Sequence, residues 1–304
     1  LPKNFSQLDV QSRHQVLTSV KGDVPVDIFE STITKETLGS IRAMRKIQEL
    51  NGERGCNRYI ISNCQTIDNL LELFALHKIC NWDRPSVDII PLFETIPDLK
   101  VCEEIMNSLY NNDEYRKHLT TRGDKQTVML GFSDGTKDGG YFMANWSIYK
   151  AKEDLTGLSK KYGINIAFFD GRGGPPARGG GNTHEFYASM GNKIQADDIQ
   201  LTVQGQTISS NFGTNDSCQY NLEQLLSSGI HNQVFNSERN VLSHEDRETM
   251  NNLAVKSHSA YQNFKKHPEF LPYLEQMTTL KYYAKANIGS RPSKRGSSKK
   301  LNFS

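Results

Sequence analysis

The 304-residue sequence has no apolar run approaching the roughly 18 residues that a membrane-spanning helix needs, and no signal-peptide pattern opens it. A soluble protein with no membrane role is expected. Its cysteines are few and scattered: Cys56, Cys64, Cys80, Cys102 and Cys218 are odd in number and lack metal-site spacing. This excludes a disulfide framework and a zinc site, and predicts a reduced, cytoplasmic setting in which the thiols fill apolar faces. No Gly-Lys-Ser/Thr phosphate loop, dinucleotide fingerprint or nucleophile elbow is present, and no histidines stand at metal spacing, although His184 lies nearest a glycine-rich stretch. Net charge is also scarce, at +2. Five of the 36 basic residues, Arg291, Lys294, Arg295, Lys299 and Lys300, crowd into Ser290–Ser304; without them 31 face 34 acidic residues, a net of −3. Nucleic acid is therefore not the expected partner. A start without methionine and a stop inside the basic segment suggest part of a longer polypeptide.

Against these absences stands the stretch Ile164–Gly181, INIAFFDGRGGPPARGGG, where an apolar run leads into Arg172 and Arg178 among glycines. Glycine lets backbone N–H groups approach an anion closely, and each arginine offers a planar donor fork for phosphate or carboxylate. The alternatives are a surface loop or an RNA-binding Arg-Gly segment. Such segments repeat in low-complexity sequence, whereas this one occurs once, directly after an apolar run.

Apolar β-type runs at Arg58–Ser62, Val87–Phe93, Val128–Phe132, Ile164–Phe169 and within Ile199–Ser209 alternate with helical patterns. Ile67, Leu70, Leu71 and Phe74 fall at i, i+3, i+4 and i+7 behind the N-cap Thr66, and Leu99, Cys102, Ile105, Met106 and Leu109 repeat the stripe. A further helix is expected over Thr34–Leu50, another begins at Phe142, Trp146 and Tyr149, and Ser257–Lys281 reads as helix broken at His267-Pro268. Alternation of this kind predicts an α/β fold: part of a (β/α)8 barrel with four to five parallel strands, plus a helical C-terminal segment. The expected divisions are 1–213 for the partial barrel, 214–288 for the helical extension and 289–304 for a basic mobile loop or tail.

Polar residues follow the strands: Glu94 after Phe93, Ser133-Asp134 after Phe132, and Asp170-Gly171-Arg172 after Phe169. Loops at strand C-termini converge over the mouth of a barrel. Glu94 and Asp134 are candidate ligands for a hard cation such as Mg²⁺ or Mn²⁺, which takes one or two protein carboxylates when substrate and water supply the rest; the alternative is a pair of capping acids. Lys137, on what reads as a glycine-punctuated loop, could neutralise an anion beside the metal or be an ordinary solvated lysine.

Four segments together carry a specific resemblance. Pro91-Leu92-Phe93-Glu94-Thr95, then Gly131-Phe132-Ser133-Asp134 with Lys137-Asp138-Gly139, then Gly171-Arg172-Gly173-Gly174 with Arg178-Gly179-Gly180-Gly181, and last Gly289-Ser290-Arg291-Pro292-Ser293-Lys294-Arg295 resemble phosphoenolpyruvate carboxylases in order and spacing. The resemblance runs from about Tyr59 to Arg295 and corresponds to part of that family's longer polypeptide. It implies a lyase that fixes carbon dioxide anaplerotically into the tricarboxylic acid cycle, using phosphoenolpyruvate and bicarbonate to make oxaloacetate and phosphate.

Carried over by residue, the resemblance implies that Glu94 and Asp134 hold Mg²⁺ or Mn²⁺ and that Arg172 and Arg178 neutralise phosphate and carboxylate oxygens. Lys137 would help bind bicarbonate. Gly173, Gly174, Gly179, Gly180 and Lys294 would line the substrate, and Arg291 would sit on a mobile loop. It also implies a homo-oligomer, a tetramer in the complete enzyme. The chain departs from the family at three places: no Thr-Ala-His-Pro segment carries the catalytic histidine, Val203-Gln204-Gly205-Gln206 replaces Glu-Gln-Gly-Glu, and Pro175-Pro176-Ala177 separates the two loop arginines. An inactive fragment is therefore expected. Rival readings are another metal-dependent pyruvate or phosphoenolpyruvate barrel enzyme and a non-catalytic anion- or RNA-binding module.

Overall fold

A computed structural model of the chain describes residues 4–171, 181–203, 206–235, 241–279 and 282. Strands β1 (Arg58–Ile61), β2 (Asp88–Phe93), β3 (Lys125–Leu130), β4 (Asn165–Asp170) and β5 (Ile199–Leu201) form one sheet in chain order, every neighbouring pair parallel. Parallel neighbours need crossovers, and here helices supply them. Helices α1 (Val10–Ser19) and α2 (Thr32–Asn51) precede β1, and α3 (Ile67–Ile79) joins β1 to β2. Next come α4 (Ile96–Tyr110) and α5 (Asp113–Thr121), then α6 (Phe132–Gly139) and α7 (Tyr141–Lys161), and α8 (Thr183–Ala188) leads to β5. Helices α9 (Gln206–Phe212), α10 (Asn215–Phe235), α11 (His244–Lys265) and α12 (Phe270–Met277) follow. Sequential parallel strands with right-handed crossovers place their helices on one side, the winding of successive staves in a (β/α) barrel. The expected α/β fold with about five parallel strands is what forms.

Register fixes which side chains meet those helices. Phe93 pairs with Leu130 and Leu130 with Asp170, so Ile89 and Phe93, Val128 and Leu130, and Ile166 and Phe168 share one face. They are buried against Leu70, Leu71 and Phe74 of α3, Leu99, Cys102 and Met106 of α4, and Ala144, Ile148 and Leu155 of α7. Each fully buried aliphatic or aromatic side chain there contributes about 1.5–3 kcal/mol. A second cluster packs Leu38, Ile41 and Met44 of α2 against Cys80, Trp82 and Val87. All five cysteines are free thiols, and Cys64, Cys80 and Cys102 are buried in apolar surroundings, as expected.

Three boundaries differ from the sequence reading. Strand β3 starts at Lys125 rather than Val128 because Gln126 is satisfied inside the core: its amide donates to the Ile89 carbonyl at 3.0 Å and accepts from the Tyr115 hydroxyl at 2.8 Å. Strand β5 keeps only three residues, and α9 takes the end of the expected run. Helix α11 begins thirteen residues before Ser257, at a capping box in which Ser243 and Asp246 satisfy each other's backbone N–H groups. The break near His267-Pro268 falls as expected, between α11 and α12.

Candidate active site

The paired strand ends bring Glu94 and the start of α6 side by side. Gly131 N–H donates to the Phe93 carbonyl at 2.9 Å, continuing the β2–β3 ladder up to the residue before Glu94. A methyl group on Gly131 would lie 3.1 Å from Glu94 Cα, and one on Gly135 would lie 3.2 Å from the Glu94 carbonyl oxygen. The two glycines stand one turn apart, so the first turn of α6, which contains Asp134, lies directly against Glu94. Glu94 is held from several directions. Its N–H donates to Asp98 Oδ2 at 3.3 Å, and its Oε2 accepts from the Asn63 N–H at 3.2 Å. Asn63 reaches this position just after β1 with a left-handed backbone, φ 55°.

Residues 132–139 are helix rather than the expected glycine-punctuated loop. Gly139 faces a neighbour that leaves no room for a side chain, Gly135 lies in close contact with the Glu94 carbonyl, and Thr136 Oγ1 donates back to the Phe132 carbonyl at 2.6 Å. At Gly139 an added methyl would approach Ile96 Cγ1 to 2.6 Å. Packing thus outweighs the helix penalty of glycine, about 1 kcal/mol per residue. Asp134 occupies the first turn and Lys137 the last, each favourable to the helix dipole. Their side chains meet, Lys137 Nζ to Asp134 Oδ1, at 2.6 Å, and Lys137 remains largely exposed.

Four carboxylates lie near this turn, and two have structural roles. Asp98 is buried and closes the capping box of α4 with Thr95. Asp138 Oδ2 accepts from the Ile96 N–H at 3.0 Å, so α6 also caps α4. The other two are Glu94 and Asp134. Among the described residues no group of three or more His, Cys, Asp or Glu side chains gathers as a metal cluster. Two carboxylates with hard oxygen donors suit Mg²⁺ or Mn²⁺, which retain water and substrate oxygens in their remaining positions. Gly131 and Gly135 let the first turn of α6 pack directly on Glu94. The donor set therefore fits the implied cation.

The third strand end is different in kind. Asp170 is buried and forms an ion pair with buried Lys152 of α7, with Nζ 2.9 Å from Oδ1 and 3.1 Å from Oδ2. Oδ2 also accepts from the Tyr187 hydroxyl of α8 at 2.7 Å. Burial, then the neighbouring Asp170 charge, pushes the Tyr187 hydroxyl far above the ordinary tyrosine range, so it stays a donor. Asp170 and Tyr187 flank Gly171–Gly181 in sequence and are joined to each other, and Lys152 ties Asp170 to α7. Nothing in the sequence pattern marked Lys152 or Tyr187, since a lysine in the middle of an amphipathic helix reads as a solvated residue.

Arg172, Gly173, Gly174, Arg178, Gly179, Gly180, Arg291 and Lys294 lie outside the described residues. His184 bonds Ser227 of α10 through Nδ1 at 2.8 Å and meets the His231 ring edge-on at 5.9 Å. Its visible partners are thus on the helical segment. No helix among the described residues is long and apolar enough to cross a membrane.

The sequence model described as phosphoenolpyruvate carboxylase matches residues 1–303, essentially the whole chain, which therefore belongs to the phosphoenolpyruvate carboxylase family.

Proposed function

We propose that the chain is the metal- and anion-binding part of an enzyme that carboxylates phosphoenolpyruvate with bicarbonate, giving oxaloacetate and inorganic phosphate. The observation that supports this most is the contact of Glu94 with the turn of α6 that carries Asp134, with Lys137 one turn further on. Glu94 and Asp134 would hold Mg²⁺ or Mn²⁺, which when bound supplies positive charge where the enolate oxygen develops. Lys137 presents an exposed ammonium to an incoming bicarbonate. Arg172 and Arg178 bind the phosphate and carboxylate of phosphoenolpyruvate, with Gly173, Gly174, Gly179 and Gly180 allowing close backbone approach. Arg291 and Lys294 would add positive charge for the bound anions, as the family resemblance implies.

The reaction assigned to this arrangement starts with attack of a bicarbonate oxygen on phosphorus. The phosphorus–enol oxygen bond breaks, leaving carboxyphosphate and the enolate of pyruvate. Carboxyphosphate splits into carbon dioxide and phosphate, and the enolate carbon then takes up the carbon dioxide. The fixed cations hold the anionic partners together and keep water from protonating the enolate.

The sequence holds no Thr-Ala-His-Pro histidine, so turnover requires a group from outside these 304 residues. The purified chain is therefore expected to bind Mn²⁺ without making oxaloacetate. Sustained oxaloacetate formation that Arg178→Ala abolishes would overturn the inactivity, and Mn²⁺ binding indifferent to Glu94→Gln and Asp134→Asn would overturn the site. We assign the complete enzyme to the cytoplasm as a homo-oligomer, a tetramer by family resemblance.

A further inference from the structure

Helix α6 is the element on which the proposed site turns, and its far end is held by a helix more than 120 residues away in sequence. The last carbonyls of a helix have no partner within it. Here α11 provides partners for two of them. The Tyr261 hydroxyl donates to the Lys137 carbonyl at 2.9 Å, and Lys265 Nζ donates to the same oxygen at 3.2 Å. Gln262 Nε2 donates to the Asp138 carbonyl at 2.6 Å and also lies 3.0 Å from His258 Nε2. Gly140 ends α6 at φ +77°, and a methyl there would come within 3.0 Å of Tyr261 Cγ, so the tyrosine ring is seated on the turn itself.

We propose that Tyr261, Gln262 and Lys265 are positioning residues for the cation and bicarbonate site: a clamp on the C-terminal end of α6 that sets where Asp134 and Lys137 sit relative to Glu94. The inference rests on the metal reading above. Two features make this more than ordinary packing. Both Tyr261 and Lys265 converge on the carbonyl of Lys137, the residue whose side chain pairs with Asp134. The Lys265 ammonium also adds positive charge at the helix C-terminus, where it complements the negative end of the dipole. Burial, then the Asp138 carboxylate, raises the Tyr261 pKa, which keeps its hydroxyl protonated and donating. On the opposite flank α6 is pinned by Asp138 to the first turn of α4. The eight-residue helix is thus held at its end by one helix and along its side by another.

The test uses the chain with Mn²⁺ as the probe, followed by electron paramagnetic resonance, and amide hydrogen exchange across residues 132–139. Tyr261→Phe and Lys265→Met are each expected to weaken Mn²⁺ binding about three- to tenfold, a loss of one hydrogen bond's worth of positioning, and to speed exchange in α6. Lys265→Arg keeps a donor and should stay within about twofold of the parent. Arg247→Met serves as the control: it removes the bidentate ion pair to Glu153, 2.7 Å on each arm, by which α11 grips α7 at its other end. It should lower the melting temperature without changing Mn²⁺ affinity. Equal weakening by Arg247→Met would mean that only docking of α11 matters, and unchanged exchange in Tyr261→Phe and Lys265→Met would refute the clamp. If the parent chain binds no Mn²⁺, the metal reading itself fails, and the exchange result still decides whether α11 holds α6.

Discussion

Lys137 and Asp134 form an ion pair of 2.6 Å across one turn of α6, so the ammonium assigned to bicarbonate rests on a carboxylate assigned to the metal. On the proposed reading, a divalent cation arriving at Asp134 would compete with that ammonium and release Lys137 for an anion, so the expected order of ligand binding is cation first.

Lys137→Met is expected to tighten Mn²⁺ binding by roughly two- to tenfold, because it removes a competing charge at close range in a partly screened setting. Titration at low and high salt checks this. The gain should shrink as ionic strength rises and exposed charges are screened.

Lys152→Met leaves the Asp170 carboxylate buried with, among the described residues, only the Tyr187 hydroxyl as side-chain partner. Removing one member of a buried pair costs about 3–5 kcal/mol. Urea unfolding should show that loss, and Lys152→Met with Asp170→Asn should recover a large part of it, since a neutral amide no longer needs the ammonium. A double variant no more stable than the single would show that the charge imbalance is not the cause.

His118 makes stability depend on pH. Burial, then the Arg122 charge and His77, depresses its pKa to about 4, while a backbone hydrogen bond to Val87 works in the opposite direction. The unfolded ring titrates near 6.5. Between about 6.5 and 4 the unfolded chain therefore binds a proton that the folded chain refuses, and stability falls with falling pH, by at most about 3 kcal/mol from this group. Above that window neither state is protonated and the contribution vanishes. Urea midpoints from pH 7 to 4 should decline less steeply in His118→Gln than in the parent. Burial lowers the His77 pKa as well, so part of the slope should remain.

Gly139→Ala places a methyl 2.6 Å from Ile96 Cγ1, at the contact where α6 meets the first turn of α4. The expected cost is about 1–3 kcal/mol of stability from overpacking. Because the same contact sets the height of α6, Mn²⁺ affinity should fall too. Calorimetry together with Mn²⁺ titration separates the two effects, and Ile96→Val on the Gly139→Ala background should restore part of both.

Much of this protein could be read along the chain. Strand and helix periodicity placed five parallel strands, because period-2 and period-3.6 apolar patterns are local consequences of which face is buried. Glu94, Asp134 and Lys137 stand out as site candidates by their positions after apolar runs and by the family motifs. Other features depend on contacts between distant segments and leave no local trace. Gly131 and Gly135 read as loop punctuation, yet they are glycines because Glu94 lies against them. Asp170 followed a strand as Glu94 does, but Lys152 and Tyr187 bury it in a structural ion pair rather than opening it to the mouth. Tyr261 and Lys265 fall in a late segment whose helical pattern gives no sign of α6, and only folding brings them onto the carbonyl of Lys137. Sequence by itself determined the alternation of elements and the chemical types at the strand ends. Tertiary structure decided which acids cap helices and which are buried in ion pairs, because burial and partner geometry are properties of the packed molecule.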